Sequence, residues 1–129
     1  MRYESRAGMV LFAKSLDRVA DFYSVVLGLT EINRDDEYIL LESPGFQLVV
    51  HRIPGDRSAT IEIAVPPIRR ATAAFKPVLF VPSIASARIV AESHGGVMEP
   101  ADTEWSFNGV TVCDGLDPEG NVIQFRENP

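Results

Sequence analysis

The chain has 129 residues, a net charge of −6 and one cysteine; it is 46% hydrophobic and 23% charged. That is the size of one domain, with enough apolar side chains to offset the entropy of ordering a chain, which sets aside disorder and low-complexity classes. A single cysteine excludes a disulfide framework, and with two histidines it excludes a Cys/His zinc site. No apolar run approaches the roughly 20 residues that span a bilayer. The acidic balance, with a pI near 4.8, disfavours nucleic acid, whose phosphates require a basic face. It suits either a cationic small molecule or simple solubility. The N-terminal stretch MRYESRAGMV has no long apolar core, so no signal peptide is expected and a cytoplasmic setting follows.

The chain is written twice. Residues 10–16 read VLFAKSL and residues 78–84 read VLFVPSI; at this offset of 68, Gly28 also falls on Gly96 and Glu31 on Glu99. Each copy opens with a short apolar run, Met9–Ala13 or Val78–Val81, expected as a strand buried on both faces. Ser15 and Ser83 follow at helix N-cap positions. After Ser15, the residues Leu16, Val19, Ala20, Phe22, Tyr23, Val26 and Leu27 keep the spacing of an amphipathic helix that Gly28 ends. A weaker stripe of Ile84, Ala87, Val90 and Ala91 predicts the second helix, closed at Gly95-Gly96.

Three strands are expected after each helix: about 30–34, 37–43 and 46–53 in the first copy, and about 97–99, 107–114 and 121–127 in the second. Trp105 falls in the connection before the middle strand of the second set. The segment 54–75 is too long for a structureless loop in a compact domain, so either a strand at Ile61–Val65 or a functional loop is expected. The fold class is α+β: tandem βαβββ repeats forming a curved, cup-shaped mixed sheet with the helices outside. The 129 residues make one domain, with repeats at about 8–53 and 76–127.

The segments LDRVADFYSVVLGL (16–29), FQLVVH (46–51), KPVLFVPSI (76–84) and DPEGNVIQF (117–125) together resemble the vicinal oxygen chelate superfamily, which includes glyoxalase, bleomycin-resistance proteins and extradiol dioxygenases. In its metal-dependent members four inward residues, usually His and Glu, hold one divalent ion. By motif, those positions fall on Gly8, Gln47, Lys76 and Gln124, and Gly8 and Lys76 keep the offset of 68. Such ions want imidazole or carboxylate donors. Here one position has no side chain and two offer neutral amides. The fourth places an ammonium where the ion should be, and two unit positive charges about 4 Å apart repel by about 4 kcal/mol at an effective dielectric of about 20. No metal and no cofactor are therefore expected.

Strand alternation turns Val10, Phe12, Val49, Val78 and Phe80 toward the cup, and Leu11, Leu48, Leu79 and Val81 toward the helices. The expected ligand-binding set is Phe12, Gln47, His51, Lys76, Phe80, Trp105 and Gln124. Each has a second reading. Lys76 either replaces the missing ion or extends to the rim, and His51 is either a general base or a wall residue. Phe12 and Phe80 either hold a flat ligand or fill a collapsed cavity. Trp105, beside Asp102 and Glu104, either stacks on a cationic aromatic ligand or makes a dimer contact. His94 and Cys113 are assigned structural places only. The resemblance implies a homodimer that binds a small organic molecule, as in the bleomycin-resistance branch. The alternatives are a lyase, isomerase or dioxygenase with a non-standard metal site or with Lys76 or His51 as its catalyst, and a catalytically silent dimer that acts through protein contacts.

Overall fold

A computed structural model describes residues 2–55 and 57–129; Met1, and Asp56 within the expected 54–75 connection, lie outside them. The chain divides into two compact units, Met1–Glu62 and Ile63–Pro129.

The first unit runs β1 (Ser5–Ala13), α1 (Leu16–Leu27), β2 (Thr30–Arg34), β3 (Tyr38–Ser43), β4 (Gly45–Arg52) and a short helix α2 (Arg57–Thr60). Its strands form one mixed sheet in the order β1-β4-β3-β2, with β1 parallel to β4 and the other pairs antiparallel. Helix α1 buries Leu16, Val19, Ala20, Phe22, Tyr23 and Val26, the expected stripe less Leu27. It packs against β3 and β4, whose Ile39, Leu41, Leu48 and Val50 are almost fully buried. Each such side chain contributes about 1.5–3 kcal/mol on leaving water. Gly28 ends the helix at φ 68°, the left-handed geometry that a residue without Cβ takes without strain.

The second unit runs β5 (Val78–Val81), α3 (Ile84–Ser93), β6 (Val97–Met98), a 3-10 turn (Ala101–Thr103), β7 (Trp105–Phe107), β8 (Val110–Leu116) and β9 (Val122–Glu127). The sheet order is β5-β9-β8-β6, and β7 also pairs with β8. As in the first unit, the opening strand is parallel to the last and the others are antiparallel. Ser83 caps α3 by accepting from the Ser86 N–H at 3.1 Å, and His94 Nδ1 meets the Val90 carbonyl in the last turn. Cys113 is buried, and burial pushes its thiol pKa up.

Three expectations need correction. First, β1 and β5 are not buried on both faces: Val10, Phe12, Val78 and Phe80 are 57%, 50%, 40% and 49% exposed, whereas Ala13, Leu79 and Val81 are buried. Each is the edge strand of its sheet; exposed residues alternate with half-buried ones along the apolar run of β1 and with buried ones along β5. Second, Trp105 lies in a strand rather than a connection. Asn108 and Gly109 both have positive φ, 48° and 80°, and join β7 to β8 as a two-residue hairpin. The strand expected at 107–114 is the two arms of that hairpin. Third, among the described residues no strand lies between Arg52 and Val78. Pro66 and Pro67 bound the apolar alternation at 61–65 and supply no ladder N–H.

The segment after Pro67 is tied to the turn before β9. Asp117 is fully buried; its Oδ1 accepts from the Glu119 and Asn121 N–H groups at 2.8 and 3.1 Å, and its Oδ2 from Asn121 Nδ2 at 2.8 Å. The turn presents the Gly120 carbonyl to the Arg70 N–H at 2.9 Å and the Glu119 carbonyl to Arg70 Nε at 2.9 Å. Gly120 sits at φ 86°, and a Cβ there would meet the Ile68 carbonyl oxygen at 2.0 Å. Gly109 has a similar φ with open space around it. Gly120→Ala should therefore lose more stability than Gly109→Ala, about 3 kcal/mol or more against about 1–2 kcal/mol. Equal losses in urea denaturation would show that the 66–70 segment is not held against this turn.

Candidate functional site

Register places Phe12, Gln47 and His51 in rows on the sheet face away from α1. Across β1, β4 and β3 the rows are Gly8–Gln47–Glu42, Val10–Val49–Leu40 and Phe12–His51–Tyr38. Cross-strand partners share a face. Phe12 and His51 are brought together, their ring centroids 5.5 Å apart and tilted by 60°. His51 Nδ1 lies 2.7 Å from the Arg52 carbonyl oxygen.

Gln47 is not poised over a vacant corner. Its neighbour Glu42, which sequence reasoning missed, has no solvent exposure and receives four hydrogen bonds. Arg2 donates through Nε at 3.0 Å and Nη2 at 2.8 Å, the Tyr3 N–H donates at 3.2 Å, and Gln47 Nε2 donates at 2.9 Å. The Arg2 hydrogen bond, then that of Gln47, holds the carboxyl down at about 2 against the opposing effect of burial, with the Tyr3 N–H adding to the lowering. Because a carboxylate only accepts, the amide nitrogen of Gln47 must face Glu42, which leaves its oxygen outward. The signal for Glu42 was an acid ending the apolar run Tyr38-Ile39-Leu40-Leu41. Its cation, 40 positions away, left no local trace.

The second unit repeats the pairing with other residues. Gln124 on β9 is the register partner of Asp114 on β8 and of Val78 on β5. Lys76 Nζ donates to both Asp114 oxygens, at 3.3 and 3.1 Å, and Arg69 Nη2 stands 3.8 Å from the same carboxylate. Gln124 Oε1 accepts from Arg126 Nε at 2.8 Å and Nη2 at 2.6 Å. The Arg126 guanidinium lies 4.8 Å from the Phe107 ring centroid. Trp105, Val112, Arg126 and Phe80 form the next row across β7, β8, β9 and β5. Asp114, Arg126 and Phe107 were not in the expected set. Their signal was period-two spacing from Gln124 and from the Asn108-Gly109 turn. Trp105 has no free acid at Glu104, which is bound to Arg88 Nη2 at 2.5 Å. A hollow of about 210 Å³ beside Lys76, with Arg69, Arg70 and Phe75 in its wall, is smaller than the roughly 300–1,000 Å³ of pockets for drug-sized ligands.

The divalent ion that the resemblance implies does not suit these positions. A Cβ at Gly8 would meet the Gln47 backbone oxygen at 2.6 Å, so a ligating side chain has no room there. Gln47 and Gln124 spend one end of each amide on a neighbouring charge, and Lys76 is itself cationic. Among the described residues no group of three or more His, Cys, Asp or Glu is placed to hold a metal.

Two measurements probe this geometry. Gly8→Ala should cost about 1–3 kcal/mol, as forced overpacking does; an unchanged melting temperature would contradict the contact with Gln47. For Glu42, the folded-state pKa lies below its ordinary value of 4.5, so its contribution is present above that value and is lost as pH falls toward 2. The stability gap between the native chain and Glu42→Gln should therefore shrink between about pH 6 and about pH 2 in urea unfolding. A constant gap would contradict the ion pair.

No protein-family model matches the chain, and no curated protein matches it. Solved structures do. A glyoxalase/bleomycin resistance protein/dioxygenase family enzyme from Burkholderia phytofirmans PsJN aligns with a TM-score of 0.70 at 17% identity, covering 96% of this chain and 98% of that one. The bleomycin resistance determinant encoded on the transposon Tn5 aligns at 0.61 and 20% identity, over 97% and 98%. A bleomycin-binding protein complexed with bleomycin aligns at 0.62 and 18% identity, over 98% and 100%. In topology and over nearly its whole length, the chain has the α+β fold of the glyoxalase and bleomycin-resistance proteins.

Proposed function

We propose that this protein binds a small organic molecule on the exposed faces of its sheets, without a catalytic metal. The observation that carries this reading is the commitment of the corner positions to internal partners: Gln47 to Glu42, which Arg2 pairs, Lys76 to Asp114, and Gln124 to Arg126. Carboxylates already paired in this way offer a divalent ion no free anionic charge. What remains on those faces is apolar and aromatic surface at Val10, Phe12, Val78, Phe80 and Trp105, the kind of lining that organic ligands favour. One neighbour in fold is a bleomycin-binding protein, which supports sequestration of a small molecule, an antibiotic included, over turnover.

The reading takes the chain as one functional domain, in the cytoplasm, and as a homodimer. The exposed Val65, Ile68 and Phe75 of the connection, 73%, 74% and 90% accessible, support a contact surface. No helix among the described residues is long and apolar enough to cross a membrane.

The test is elemental analysis of untagged protein together with a thermal-shift screen of planar organic compounds. The expected outcome is less than a stoichiometric amount of any divalent ion, and stabilisation by at least one compound class. A ligand at about 100 times its Kd stabilises by about 2.7 kcal/mol. A stoichiometric ion would favour the alternative, a glyoxalase-superfamily enzyme with a non-standard metal site.

A further inference from the structure

One face of the second unit's sheet carries a defined set of hydrogen-bond donors between aromatic rings, with Val112 buried beneath them. Trp105, Val112, Arg126 and Phe80 lie in one row, with Phe107 two residues from Trp105 on the same face. Trp105, Phe107 and Phe80 are 42%, 47% and 49% exposed. With strands about 4.8 Å apart, Trp105 and Phe80 are roughly 14 Å apart at the backbone and Arg126 lies between them. That span admits a planar molecule of two fused rings.

The charge on this face is positive. Arg126 is oriented by two hydrogen bonds to a neutral amide and by the Phe107 ring, and neither neutralises it. Among the described residues it has no carboxylate within ion-pair distance. Its neighbour Glu127 accepts from the Ile84 N–H instead. Asp114, the acid in the adjoining row, is engaged by Lys76 and approached by Arg69. Since Arg126 can only donate, the oxygen of Gln124 faces it, and Gln124 Nε2 is the end left unengaged. The groups on offer are guanidinium and amide N–H donors flanked by rings, in a chain whose net charge is −6.

We propose that this face recognises a planar aromatic acid, the ring system lying against Trp105 and Phe80 and the anionic group on Arg126 and Gln124. The inference rests on the small-molecule reading above and narrows it. It also reverses the cationic ligand suggested by overall charge and by Asp102 and Glu104 around Trp105; of these two acids, Glu104 is paired with Arg88.

The chain has one tryptophan, so its indole N–H resonance reports on this face alone. Titration of 2-naphthoate, 2-naphthylmethanol and 2-naphthylmethylammonium into the full chain, followed by that resonance, separates the possibilities. The acid should bind about tenfold or more tighter than the alcohol, with the ammonium weakest. In Arg126→Gln the acid and the alcohol should bind with the same affinity, and Arg126→Lys should keep part of the preference. Equal or tighter binding of the ammonium or the alcohol would overturn the anionic class while leaving small-molecule binding in place. No shift with any of the three would overturn both. A resonance that moves only with protein concentration would assign the face to a second copy of the chain and also overturn the proposal.

Discussion

A carboxylate that loses contact with water must have its charge answered from within the protein, and Glu42 shows how much structure that requirement organises. Its oxygens are shared between a guanidinium, a backbone N–H and a side-chain amide. Those bonds tie the Arg2–Tyr3 segment to β3 and turn the Gln47 amide into a single orientation. Removing one partner from such a cluster leaves a buried charge unanswered, which is far more costly than the cluster is stabilising as a whole. A similar demand at Asp114 is met by Lys76, which lies two residues before β5 and 38 positions away in the chain.

The two repeats thus share a principle but not its residues. Each sets a carboxylate on the strand beside a glutamine, and each supplies a cation from outside that strand pair. In the first repeat the cation is an arginine that also holds the N-terminal segment. In the second it is the lysine heading toward β5, and the glutamine is turned instead by Arg126. The two amides consequently present opposite ends, oxygen at Gln47 and nitrogen at Gln124. A duplicated fold has in this way acquired two chemically different faces, one with an acceptor and the other with donors.

Much of the fold was legible in the sequence because local rules and the 68-residue offset agreed. The stripe after Ser15, the stop at Gly28 and the serine before each helix are short-range signals, and the structure places elements where they point. The errors have equally specific causes. Apolar runs at β1 and β5 were read as buried on both faces because composition alone does not reveal an edge strand. The hairpin at Asn108-Gly109 was passed over, although that dipeptide is among the strongest turn signals, and so Trp105 was put in a loop. Alternation grouped Phe12, Gln47 and His51 on one sheet face and Phe80 and Gln124 on another, but their chemistry was set by partners that alternation cannot name: Arg2 for Glu42, Arg126 for Gln124, Arg88 for Glu104. Charge pairing across a sheet leaves no periodic trace in the chain.

The central claim is that internal cations already satisfy the carboxylates beside the corner positions, which leaves them closed to a divalent ion. Carbon NMR of the side-chain carboxyls of Glu42 and Asp114, recorded through an acid titration with and without manganese, tests it most directly. The account predicts a Glu42 midpoint near 2, with neither carboxyl signal broadened by the paramagnetic ion at stoichiometric concentration. A Glu42 midpoint at the ordinary 4.5, or selective broadening of both carboxyls by manganese, would contradict it.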